Sequence, residues 1–218
     1  MSSYITSSIG RKQLMGLSGL IWAGFVFGHM AGNMLILVGP EAYNHYANAI
    51  ATNPILLYST EVLLLAMLIP HVINGLWLWL ENRRAAHGWK KTNGKKAPRW
   101  NSRWMAFHGS IILVFIITHL ATFKYGTTYT TQLNGVEVRD IYKLVVEVFH
   151  QPGFVLWYLV ALVLLGFHLS HGFYSSFASL GIWHPKYSPW LNCIGYVYSI
   201  VVVLGFVSQP VYVYFFAP

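Results

Sequence analysis

Residues 153–178 read GFVLWYLVALVLLGFHLSHGFYSSFA, and the fold turns on this stretch. It holds no Asp, Glu, Lys or Arg, and it exceeds the ~20 apolar residues a helix needs to cross a bilayer. It nevertheless carries His168 and His171. Ionisable side chains inside a membrane are costly, and those that persist face a bundle interior with a partner. Four further stretches meet the same test of length and apolarity, at roughly 13–38, 55–80, 104–123 and 190–216. Of the 218 residues, 56% are apolar and only 9% charged, against about 25% charged in a soluble domain. Little chain remains outside the spans, so a water-exposed catalytic module belongs to another polypeptide. The expected fold is all-α and integral to a membrane: one domain over residues 1–218 with five transmembrane helices.

The net charge of +8 is unevenly placed. Arg83, Arg84, Lys90, Lys91, Lys95, Lys96, Arg99 and Arg103 fall between spans two and three. Arg11 and Lys12 precede span one, and Lys186 separates spans four and five. The opposite side has Lys124, Arg139 and Lys143, offset by Glu41, Glu137, Asp140 and Glu147. Loops rich in Lys and Arg stay in the cytoplasm, so eleven basic residues against three put the N-terminus inside and the C-terminus on the periplasmic side. This distribution argues for a topology signal and against nucleic acid as a partner. Docking of a soluble protein or of anionic lipid heads is compatible with it. The first span is too long for a signal peptide, and no small-residue cleavage site follows it. Cys193 stands alone, which excludes an internal disulfide and a cysteine-ligated cluster.

Breakers mark the loops: Gly39-Pro40, Asn53-Pro54, Asn93-Gly94, Pro98, Gln151-Pro152-Gly153, Pro185 and Pro189. In the longest outer connection, residues 124–151, the segment from Val138 to His150 has the spacing of an interfacial helix. Tryptophans and tyrosines such as Trp77, Trp79, Trp100, Trp104 and Trp157 gather at span ends as an interfacial belt.

Histidine depth is the informative coordinate. Helices one and three run outward, and His29 and His119 lie about 17 residues or ~25 Å along them, in the outer half. Helices two and four run back inward, and His71 and His168 lie about 16 residues along, in the inner half. Each pair is placed to clamp one iron from both faces of a porphyrin within a four-helix bundle, two b-type hemes in all. Gly75 follows His71 by four residues, Gly172 follows His168 by four, and Gly28 and Gly32 flank His29. A flat macrocycle needs such bare backbone one turn from its ligand; taken singly, each glycine reads as close helix packing. His171, one turn from His168, is its competitor. His108 reads as a buried polar group at the inner level, near a heme propionate or a quinone head. His45, His87, His150 and His184 fall in loops or at interfaces, and His45 lies on the outer side in reach of a substrate.

These segments resemble a known family. Gly28-His29-Met30-Ala31-Gly32-Asn33, His71-Val72-Ile73-Asn74-Gly75, Thr118-His119-Leu120 and Phe167-His168-Leu169-Ser170-His171-Gly172, with Leu180-Gly181 beyond, are similar to the single-subunit diheme cytochrome b anchor of succinate dehydrogenase and fumarate reductase. The resemblance covers the whole chain. It implies two heme b groups, with His29 and His119 on the distal iron and His71 and His168 on the proximal iron. It also implies flavoprotein and iron–sulfur subunits on the cytoplasmic side of a bacterial inner membrane, and menaquinone or menaquinol as substrate. The family admits a dimer of heterotrimers, and it serves the tricarboxylic acid cycle or anaerobic respiration according to direction. Some relatives pair His-Gly as His171-Gly172 does, so the choice between His168 and His171 stays open. Some fumarate-reducing relatives carry a glutamate two residues before the fourth ligand, where this chain has Gly166.

Bis-histidine ligation leaves no open coordination position, so the expected role is electron transfer joined to a quinone site. Glu61 is the one acid inside a span, and it stands equally as a quinone-site proton group or as an interfacial carboxylate reaching water. Glu41, His45 and Tyr43 are weaker candidates. Two other classes compete: the cytochrome b subunit of a hydrogenase or formate dehydrogenase, and a heme-free transporter with histidine proton relays. The first distributes its ligands differently, and the second often shows broken helices in matched halves.

Overall fold

The computed structural model describes Tyr4 and residues 7–89, 100–182 and 184–217, apart from the side chains of 85–89 and 100–103. The basic loop from Lys90 to Arg99, with Asn93-Gly94 and Pro98, lies outside the described residues, as do the side chains of His87, Trp100 and Arg103.

Local chemistry sets most boundaries. Helix α1 (Ser8–Asn33) starts where Ser7 Oγ accepts from the Gly10 amide at 3.1 Å, satisfying a donor that every helix start leaves open. It continues as a 3-10 turn over Met34–Leu37. Gly39, at φ 135°, takes a backbone conformation that only glycine adopts freely, and Pro40 then opens α2 (Pro40–Ala51). Asn53 Oδ1 accepts from the Leu56 amide at 3.0 Å to start α3 (Pro54–Trp89). Helix α4 (Trp100–His119) runs into a π turn over Leu120–Lys124. After a connection that holds two strands and α5 (Ile141–Phe149), α6 (Pro152–Ser179) and α7 (Ser188–Phe216) each open on a first-turn proline.

Among the described residues, five stretches are long and apolar enough to cross a membrane: Ser8–Leu37, Pro54–Arg84, Trp104–Lys124, Pro152–Ser179 and Ser188–Phe216. Large apolar side chains stand uncovered along their outer faces, Ile55 at 82% exposure and Ile117 at 60%. Helices apolar on every side need lipid or protein around them, the signature of a multi-pass membrane protein.

Four of the five close a ring. Helix α1 packs on α3, α3 touches α4, α4 packs on α6, and α6 packs back on α1. Helix α7 lies outside the ring against α6 and α1. Small residues allow the close approaches. A Cβ added at Gly16 would come within 2.9 Å of the Ser176 carbonyl oxygen, so the α1 and α6 backbones nearly touch. Polar ties cross the apolar contacts too, with Tyr198 Oη donating to the Ala23 carbonyl at 2.5 Å and Gln209 Nε2 to the Met30 carbonyl at 3.3 Å.

The connections at one end are more structured than the breaker pattern suggests. Residues after Pro40 form a helix rather than a loop. Strands β1 (Thr130–Leu133) and β2 (Val136–Arg139) pair antiparallel, with Asn134 and Gly135 at φ 52° and 77° in the left-handed turn that a two-residue hairpin requires. The interfacial helix expected from Val138 begins instead at Ile141. Asp140 Oδ1 accepts from the Lys143 amide at 3.0 Å and caps α5 there, leaving Val138 and Arg139 on β2. Asn44 of α2 holds this cap in place: Nδ2 donates to Asp140 Oδ1 at 2.8 Å, and Oδ1 accepts from the Tyr142 amide at 3.0 Å. Leu144, Val148 and Phe149 of α5 then pack with Ile36, Tyr43 and Tyr158 over the end of the bundle where α1 finishes and α6 begins.

Candidate functional site

Each helix of the ring contributes one histidine to a pair. His29 of α1 meets His119 of α4 with ring centroids 5.8 Å apart and planes at 88°. His71 of α3 meets His168 of α6 at 6.1 Å and 58°. Helices α1 and α4 are diagonal across the ring, as are α3 and α6, so both pairs meet through its centre.

The pairs occupy two levels. A Cβ built at Gly19 would lie 3.4 Å from His71 Cε1, and one built at Gly109 would lie 3.5 Å from His168 Cε1. Gly19 precedes His29 by ten residues on α1, and Gly109 precedes His119 by ten on α4. Ten residues are roughly 15 Å of helix. The upper pair, His29 and His119, therefore stands about 15 Å along the bundle from the lower pair, His71 and His168. Tyr158 repeats the interval on α6: it contacts His119 and precedes His168 by ten residues.

The residues present could hold two hemes, one at each histidine pair. Two imidazoles sharing a metal at about 2 Å per bond have centroids ~6 Å apart, the spacing of both pairs. A ligating imidazole binds through one nitrogen and hydrogen-bonds through the other. His71 Nδ1 is 3.1 Å from Ser18 Oγ, whose own proton goes to the Met15 carbonyl at 3.1 Å. The hydroxyl is free to accept from His71, which also has the Met15 backbone as a hydrogen-bond partner, and that arrangement leaves Nε2 for a ligand. His119 Nδ1 lies 3.0 Å from Tyr158 Oη. His168 Nδ1 is buried with no hydrogen-bond partner. His29 Nδ1 lies 3.3 Å from Asn33 Nδ2, and that amide also donates to the His29 carbonyl at 2.7 Å, one hydrogen for each. Tyr43 Oη donates to Asn33 Oδ1 at 2.6 Å, and burial raises the Tyr43 phenol above its ordinary pKa, so it stays a neutral donor. No group of three or more His, Cys, Asp or Glu able to hold a metal ion occurs among the described residues.

The glycines divide by surroundings. Nothing lies within 4 Å of a Cβ at Gly28 or Gly172; Gly28 is exposed, whereas partly buried Gly172 leaves room for a flat group beside His168. Gly75 instead abuts Met15, with a Cβ there 3.1 Å from Met15 Cε. Gly32 is packed by the Tyr46 ring, so helix packing accounts for it.

The remaining candidates are spread out. His171 lies one turn beyond His168, half-buried. His108 stacks on Phe167 at 5.8 Å and 28°, next to Gly109 and so at the lower level, with Nδ1 buried and unpartnered. Glu61 forms an ion pair with Lys124, Oε1 to Nζ 2.5 Å, joining α3 to the π turn that follows His119. His45 and Glu41 are exposed on α2. Sequence reasoning passed over Ser18, Asn33 and Tyr158. Ser18 and Tyr158 each lie ten or eleven residues before a histidine on their own helix, the interval that separates the two levels.

No protein family, curated protein or solved structure matches this chain.

Proposed function

We propose that this chain is the diheme cytochrome b anchor of a succinate:menaquinone oxidoreductase or menaquinol:fumarate reductase, with its N-terminus in the cytoplasm. The observation that carries the proposal is the meeting of two histidine pairs across the two diagonals of one helical ring, at levels about 15 Å apart. His71 and His168 would hold the heme nearer the cytoplasm, and His29 and His119 the heme nearer the periplasm. When bound, the hemes supply one-electron carriers at two depths of the membrane.

The protein's part is to hold, orient and exclude. Four helices fix the imidazoles, so the ligands do not have to be ordered when an electron arrives. The cap of α2, the hairpin and α5 packs over the upper level and shields it from water. Glu61 and Lys124, paired between α3 and the π turn beyond His119, are the groups that would exchange protons with a quinone head. The basic residues between Arg83 and Arg103 would supply positive charge for docking the iron–sulfur partner.

Purification from native membranes tests the assignment. Succinate should reduce b-type absorption in a preparation that also contains a covalent-flavin polypeptide and an iron–sulfur polypeptide. Co-purification of a hydrogenase or formate dehydrogenase subunit instead would place the chain in another diheme class. A preparation without b-type absorption would favour a proton-coupled transporter.

A further inference from the structure

Each histidine pair has one member anchored by a hydroxyl and one that is not. In the lower pair, His71 Nδ1 lies 3.1 Å from Ser18 Oγ, while His168 Nδ1 has no hydrogen-bond partner. In the upper pair, His119 Nδ1 lies 3.0 Å from Tyr158 Oη, while His29 Nδ1 faces no hydroxyl but the Asn33 amide nitrogen at 3.3 Å, whose other hydrogen serves the His29 carbonyl. Both hydroxyls are deeply placed, Ser18 at 0% exposure and Tyr158 at 7%. A buried hydroxyl loses its water; for Tyr158 the histidine is the partner that replaces it, and for Ser18 the histidine adds to the Met15 carbonyl.

We infer that Ser18 and Tyr158 are positioning residues, Ser18 for the lower histidine pair through His71 and Tyr158 for the upper pair through His119. The inference rests on the heme reading of the two pairs. Holding Nδ1 fixes the ring plane, and where the hydroxyl accepts, as Ser18 can, the proton stays on Nδ1 and Nε2 is the nitrogen presented at the bundle centre. An acceptor on Nδ1–H also makes the imidazole a stronger donor and favours the oxidised, more positive metal. The two anchors come from different helices, so each level can be tuned without disturbing the other. Ser18 is on α1, which supplies a ligand to the upper pair only. Tyr158 is on α6, which supplies a ligand to the lower pair only. Every helix of this diagonal arrangement then presents a ligand at one level, and two of them present an anchor at the other.

The test is a redox titration of the intact complex, followed by b-band absorption and by the low-spin ferric resonance, in Ser18→Ala and Tyr158→Phe. Ser18→Ala should raise the potential of the heme lost in His71→Ala, by a tenfold change in the oxidised-to-reduced balance, or about 59 mV for one electron. Tyr158→Phe should raise the other heme's potential by a similar step. Ser199→Ala and Tyr198→Phe, which remove hydroxyls bonded to backbone carbonyls, should move neither. If both variants retain two hemes with unmoved potentials and resonances, the positioning roles are overturned and the heme reading survives. If either variant moves both hemes alike, or matches its control, the effect is general packing and the inference is also overturned. A wild-type complex without heme would overturn the functional reading itself.

Discussion

Ser18 and His71 meet across α1 and α3 with Oγ 3.1 Å from Nδ1, although fifty-three residues separate them in the chain. That contact sets the level of the lower pair against α1, because Ser18 stands eleven residues, or roughly 16 Å of helix, before His29. Two histidines on neighbouring helices thus serve different levels, and each finds its partner across a diagonal.

Ligand replacement should remove hemes one at a time. His29→Ala and His119→Ala should each leave one heme per chain, and the survivor should be the same in both. His71→Ala and His168→Ala should leave the other one, as measured by pyridine hemochrome and redox titration. Replacing His171 should leave both. Loss of a heme in His171→Ala, with both kept in His168→Ala, would move the fourth ligand to His171.

Glycine positions that look alike in the sequence should respond differently. Gly16→Ala forces a Cβ to 2.9 Å from the Ser176 carbonyl oxygen, so α1 and α6 must part, at a cost of about 1–3 kcal/mol in unfolding measurements. Gly172→Leu meets no protein atom within 4 Å at its Cβ, so the helices should pack as before. Its side chain should instead obstruct the group held by His168, and heme content should fall from two to one.

Asn44 is 3% exposed and makes two of the hydrogen bonds that seat the cap. Asn44→Ala strands the Tyr142 amide and removes a donor from Asp140, a loss of about 1–3 kcal/mol. The hairpin and α5 should become sensitive to added protease on that face of the membrane, while wild type resists.

If Glu61 exchanges protons with the quinone, Glu61→Gln should lower quinone-linked turnover by about 100-fold. Both hemes and electron delivery to a soluble dye should persist. Equal loss in the dye assay would instead mark Glu61 as a structural partner of Lys124.

Spans and histidine levels were legible because length, apolarity and rise per residue are one-dimensional quantities. The five apolar stretches lie within a few residues of those read from composition, with proline and glycine at their ends. The cap was less legible. Asn134-Gly135 is a hairpin signal, but the strands it joins, TTQL and VEVR, are only four residues each. Helix α2 reads as a polar, alanine-rich segment whose stability comes from Asn44 and Tyr43 reaching other elements. Glu61 was legible as an intramembrane acid, but its pairing with Lys124 depends on α3 and the π turn meeting in space. Ser18 and Tyr158 carry no local mark of their role; only their distance from a histidine on the same helix hints at it.

On the proposed assignment, the two diagonal histidine pairs hold two hemes in one chain. Heme content and an anaerobic redox titration of the purified wild-type protein test it most directly. The expected result is two b-type hemes per polypeptide that titrate as two one-electron components. One heme per chain, or no reduced b-type band, would contradict it.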